Sequence, residues 1–140
     1  MALSANTVVE SRGAGGIRKF KVKTNAHIYR NGAVGIDSTV GYARPATAGA
    51  TPDIRAGIAR EEVDATGVAS GVKDVECCTQ GEFLLTGSGF AQTDVGAVVY
   101  FSADDTITKT STNNVLAGRI TEFVSSTKVW VELLPFAVAS

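Results

Sequence analysis

Much of the usual material for catalysis, metal binding or membrane insertion is scarce in this chain. Its 140 residues include one histidine, two cysteines, three prolines, one methionine and one tryptophan. A single histidine leaves any Ser-His-Asp arrangement with one base to choose, His27. It sits beside Ile28 in a short strand-like run and reads as a structural or surface residue. The cysteines are neighbours, Cys77 and Cys78. On a strand, neighbours point to opposite faces, so they do not bond each other, and a metal would need further ligands. Both read as small packed hydrophobes without a redox role. Charged residues make up 19%, and 13 basic against 14 acidic groups leave a net charge of −1. That balance does not indicate a polyelectrolyte partner such as free nucleic acid. No apolar run approaches the ~18 residues of a membrane span, residues 97–101 being among the longest. The first ten residues lack a basic leader followed by a long apolar stretch, and none of the five asparagines opens an Asn-x-Ser/Thr sequon. The expectation is a protein made in a cytosol.

Leucine and methionine are also few, 6 and 1, against 17 valines, 7 isoleucines and 15 threonines. Side chains branched at Cβ are stiff and suit pleated surfaces, whereas a helical bundle needs leucine, glutamate and lysine. With 15 glycines as punctuation, the composition is all-β. The length fits one domain with a real core. Residues 1–16 are small and polar, ending in Gly13-Ala14-Gly15-Gly16, and read as an extended N-terminal arm. Residues 17–134 read as a single β domain and residues 135–140 as a tail.

Within the domain, alternation predicts strands at residues 17–24, 26–30, 33–40, 72–79, 83–85, 97–101, 106–110, 115–120 and 128–134. Ile54, Ala56 and Ile58 recur at period two, which suggests another. Asn31-Gly32 is a hairpin-type turn signal. Residues 44–53 read as a small-residue loop, and residues 61–70 carry turn residues. Eight or more short strands separated by Gly, Asp, Asn and Ser predict a compact sandwich or barrel. A weak internal echo is also visible. Ala26-His27-Ile28-Tyr29 is similar to Ala97-Val98-Val99-Tyr100, and Ala56-Gly57-Ile58 to Ala117-Gly118-Arg119. Residues 72–76 are likewise similar to residues 128–132. Two related β units would explain the common order of elements.

No catalytic pattern emerges. Gly13 to Gly16 is followed by a β-type run instead of a helix with Gly-Lys-Ser/Thr. Ser88 is flanked by glycines, but Thr86 and Phe90 hold the outer positions of a nucleophile elbow. Glu61, Glu62, Asp64, Asp104 and Asp105 suit turns and a solvated rim. No cofactor or metal is indicated. Two features suit a binding surface better. Lys19, Lys21 and Lys23 form a stripe, with Arg12 and Arg18 nearby, that could dock on an acidic protein. The same stripe could be a solvated face or a guard on an edge strand. Trp130 shares the polar face of its strand with Lys128 and Glu132, the position of an interface anchor unless a loop or the tail covers it.

The runs Gly81-Glu82-Phe83-Leu84-Leu85, Val95-Gly96-Ala97-Val98-Val99-Tyr100, Thr106-Ile107-Thr108-Lys109-Thr110, Leu116-Ala117-Gly118-Arg119-Ile120 and Val129-Trp130-Val131-Glu132-Leu133 share a pattern. With Ala56-Gly57-Ile58-Ala59 upstream, the pattern resembles the small head decoration (capsid cement) proteins of tailed bacteriophages over residues 54–134. The resemblance implies a non-enzymatic virion protein on the capsid exterior, made in the host cytoplasm. It would bind the assembled shell and bridge neighbouring major capsid protein subunits. It also implies a homo-oligomer, with a trimer the favoured form. The alternatives are another β-rich virion component (tail tube, head-tail joining or baseplate subunit, with residues 44–53 as a stacking loop) and a small β-barrel ligand-binding module.

Overall fold

The computed structural model describes residues 16–134, and the fold is all-β. Its strands are β1 (Ile17–Lys21), β2 (His27–Ile28), β3 (Ala33–Asp37), β4 (Tyr42–Pro45), β5 (Ile54–Ala59), β6 (Val63–Asp64), β7 (Asp74–Cys78), β8 (Glu82–Thr86), β9 (Val98–Ala103), β10 (Thr106–Thr108), β11 (Val115–Ser125) and β12 (Lys128–Leu133). They form antiparallel sheets of five, five and two strands. Sheet one runs β1-β7-β5-β3-β4, sheet two β10-β9-β11-β12-β8, and the small sheet pairs β2 with β6. The expected tail, residues 135–140, and the expected arm, residues 1–16, apart from its last residue Gly16, lie outside the described residues, and Arg12 with them.

The two large sheets are the same unit built twice. Leaving out the small sheet's strands and counting along the chain, each has spatial order first-fifth-fourth-second-third. The repetition extends to register. Val34 faces Gly57 and Gly35 faces Arg55, leaving Ala56 as an unpaired bulge residue. In sheet two, Val99 faces Gly118 and Tyr100 faces Leu116, leaving Ala117 in the same place. The Asn31 amide donates to the Ala59 carbonyl, and Gly96 donates to Ile120. Ala59 donates back to Gly32, as Ile120 does to Ala97. Thr79 donates to Gly16, as Leu133 does to Gly81. A Cβ on Gly57 would strike the Cys78 carbonyl, and one on Gly118 would strike that of Glu132. Both positions therefore require glycine, because the fourth strand of each unit lies against the backbone of the fifth.

The internal echo is thus real, but two of its parts are misaligned in the sequence reading: residues 72–76 are shifted by two, and residues 26–29 are the wrong segment. Ala56-Gly57 matches Ala117-Gly118, and residues 74–78 match residues 128–132. The partner of residues 97–100 is residues 32–35, not residues 26–29, which belong to the small sheet.

The bulge also overturns the simple period at β5. Ile58 pairs with Ala33 and points to one side of sheet one, while Ala56 points to the other. One extra residue reverses the side-chain phase. Asn31-Gly32 does turn the chain, with Asn31 at φ 69°. It joins strands of different sheets, however, and makes no hairpin. Two strands lie where loops were expected, β4 and β6.

Two cores divide the molecule. The first lies between sheet one and the small sheet and holds Ile28, Val34, Ala43, Ala56, Val63, Val75 and Cys77. The second holds Val99, Phe101, Ile107, Ile120, Val129 and Val131 of sheet two, closed by Ala33, Ala46 and Ile58 from the far side of sheet one. The first unit caps itself because its chain between fourth and fifth strands carries Val63, Ala65 and Val68. The second unit makes a tight β11–β12 turn there and is capped by the first.

Candidate docking surface

β1 is an edge strand, paired on one side only, with β7. Arg18, Lys19 and Lys21 are exposed on it, while Val22 is fully buried and Phe20 half-buried. Alternation therefore works as the sequence predicts, with Lys19 and Lys21 outward on one face. Lys21 lies 3.9 Å from Asp74 at the surface. Lysines on an edge also hinder edge-to-edge pairing, so the stripe serves the fold as well as any partner. Lys23 stands apart from the stripe: its Nζ is 2.6 Å from Asp37 Oδ2, so its charge is already engaged.

That contact opens onto an ionic network that sequence reasoning missed. Asp37 accepts from Lys23 and from the Thr39 amide and hydroxyl. Arg44 sits 3.4 Å from Asp37 and grips Asp53 with two donors, Nε at 3.0 Å and Nη2 at 2.7 Å. Asp53 is 1% exposed and also accepts the Thr47 amide. Lys23, chiefly, then Thr39, hold the Asp37 carboxyl well below the usual carboxylate range. Asp53 holds Arg44 above its ordinary value. Beside this network Arg55 donates to the Thr79 and Leu134 carbonyls, and burial pushes its pKa down to about 10. The network fastens the two ends of residues 44–53 to each other and to Asp37 of sheet one. An Arg and an Asp nine residues apart are the available sequence signal, but nothing in spacing says they meet.

A groove of about 500 Å³ runs between the outer face of sheet one and the edge of sheet two. Ile58 and Phe83 supply apolar lining, and Lys19, Arg30, Arg60 and Glu76 the charge. Arg60 pairs with Glu76, and Glu61 accepts the Glu76 amide. Lys19 and Arg30 have no ion-pair partner among the described residues. Cys78 lines the same groove, half-buried, while Cys77 is fully buried in the first core. Burial first, then Cys78 and nearby carboxylates, push the Cys77 thiol up to about 12. The opposite-face reading of the two cysteines holds.

The remaining polar groups behave as rim and turn residues. His27 lies 2.6 Å from Glu62 and stacks on Tyr29 at 4.2 Å. Asp64 accepts the Thr66 amide and hydroxyl, fixing a local turn. No group of three or more metal-ligating side chains occurs among the described residues. No helix among them is long and apolar enough to cross a membrane.

Trp130 lies on the outer face of sheet two, with Leu84 of β8 on one side and Glu122 of β11 on the other. It is half-buried, and Leu84 is 42% exposed. Val129, Val131 and Leu133 are core, as alternation predicts. The basic strand and Trp130 belong to different sheets, so the candidate contact residues form two surfaces and not one. Comparison with protein-family models, curated proteins and solved structures found no match for this chain.

Proposed function

We propose that this protein is a virion structural component that binds the outer surface of an assembled phage capsid as a homo-oligomer. It cements the shell by bridging neighbouring major capsid protein subunits. The observation that carries the docking part is the cationic edge. Arg18, Lys19 and Lys21 are solvent-facing on β1, and Lys19 continues into a groove where it and Arg30 have no ion-pair partner among the described residues. Cations without an ion-pair partner among the described residues, at a groove whose lining is mostly polar, favour a partner surface bearing carboxylates. The choice of a capsid as that partner rests on the resemblance of residues 54–134 to head decoration proteins.

The mechanism is linkage. A protein that binds only the assembled lattice stabilises it by mass action, since its binding free energy must be lost before subunits separate. An oligomer touching several subunits adds avidity without new contacts. Residues 1–15 lead directly into β1, so they would engage the shell beside the cationic strand.

Co-sedimentation with purified expanded empty heads tests this reading. The full chain should saturate the heads and raise their resistance to heat. Deleting residues 2–15, or changing Arg18, Lys19 and Lys21 together to Glu, should abolish decoration while circular dichroism stays native. A full chain that does not bind heads refutes the function, and a charge-reversed variant that still saturates them refutes the docking site.

A further inference from the structure

The duplicated fold shows what one face of the repeat is for. In the first unit the outer face, carrying Ala33 and Ile58, is buried against the second sheet. In the second unit the corresponding face holds Val98 and Arg119, and no sheet of the described residues covers it. Register places Trp130 where the first unit has Glu76, and Leu84 where it has Lys19. Two charged positions of one copy are therefore apolar in the other, on a face that no other sheet of the described residues covers. A side chain that meets only water gains nothing from being Trp or Leu, whereas an interface centre does.

The charge pattern around this centre identifies the occupant. On β12, Lys128 lies two residues before Trp130 and Glu132 two residues after it, both exposed and on the same face. A two-fold axis lying in the interface, perpendicular to β12 and passing through Trp130, sets each copy's Lys128 opposite the other copy's Glu132. The two ends of β12 are self-complementary about this axis, as an isologous contact requires, while Glu122, beside Trp130 on the axis, meets its own copy at the edge of the contact and Arg119 flanks Glu132. We propose that two copies of this chain pack their second sheets face to face about such an axis, with Trp130 and Leu84 at the centre. The proposal stands on the isolated chain and is independent of the capsid reading.

Being two-fold, the contact builds dimers or other even-numbered assemblies. Sedimentation equilibrium of the purified full chain should show a reversible even-numbered species. Trp130 is the sole tryptophan, so its fluorescence should shift to the blue as concentration rises across the same transition. Lys128→Glu and Glu132→Lys should each weaken self-association by more than about tenfold, because like charges then face each other. Mixing the two variants should restore pairing, since every Glu then faces a Lys. A chain that is solely monomeric or solely trimeric up to its solubility limit overturns the proposal. So does self-association that neither charge reversal weakens, or a mixture that pairs no better than its parts.

Discussion

Asp53→Ala removes the most deeply buried charge among the described residues, and the structure sets the size of the loss. Asp53 is 1% exposed and accepts three donors, Arg44 Nε, Arg44 Nη2 and the Thr47 amide. Breaking one side of a buried ion pair costs about 3–5 kcal/mol, because the partner is left charged and desolvated. Arg44 keeps Asp37 at 3.4 Å, and its side chain is 26% exposed, so water and a second carboxylate relieve part of the loss. The expected destabilisation is therefore at the low end, about 3 kcal/mol, which lowers the melting temperature by about 10 °C for a domain of this size. Urea unfolding followed by circular dichroism measures the former and a thermal scan the latter. Asp53→Asn, which keeps acceptor oxygen but no charge, should lose less. A double change, Arg44→Met with Asp53→Leu, should cost less than the sum of the singles, because neither ion is then left alone. An Asp53→Ala variant within 1 kcal/mol of the parent in urea (~5 kcal/mol being an ordinary total stability) would refute the claim that this network holds residues 44–53 to the sheet.

Three further outcomes are expected. Gly57→Ala and Gly118→Ala should each destabilise by about 1–3 kcal/mol, since a Cβ meets backbone that cannot move aside; urea titration of both, against Gly67→Ala as a positive-φ glycine with open space, checks that the two repeat positions fall together. Asp37 has a lowered native pKa, so its stabilisation is complete above the unfolded value near 3.8 and is lost as pH falls through the folded value. Urea midpoints should drop on acidification from pH 5, less so in Asp37→Asn. Asp104, raised by burial and by Asp105, acts in the opposite sense and offsets part of that drop. A thiol reagent at pH 8 should label one cysteine quickly, Cys78, and reach Cys77 only on unfolding; two fast thiols would contradict the placement of Cys77 in the first core.

Much of the strand content was legible in the sequence, because a half-buried strand writes its period into the chain. Residues 128–133 are the clearest instance: Val129, Val131 and Leu133 alternate with Lys128, Trp130 and Glu132, and burial follows that alternation. β4 was hidden because Tyr42-Ala43-Arg44-Pro45 carries a proline, and its edge position is what tolerates one. β6 was hidden because two residues are too few to show a period. The cationic strand was readable as a pattern, but Lys23 looked like its continuation until Asp37 was seen beside it.

By itself the sequence determined the all-β fold class, the opposed cysteines and the outward lysines, since each depends on side-chain branching or on period two. Only the tertiary structure decided that the chain is one unit built twice. Residues 26–29 and 32–35 both have partial likeness to residues 97–100, and hydrogen-bond register alone separates them. It also decided which sheet caps which core, that Arg44 meets Asp53, and that Trp130 and β1 occupy separate surfaces. These are long-range pairings, and nothing in local periodicity encodes which distant strand a given strand will meet.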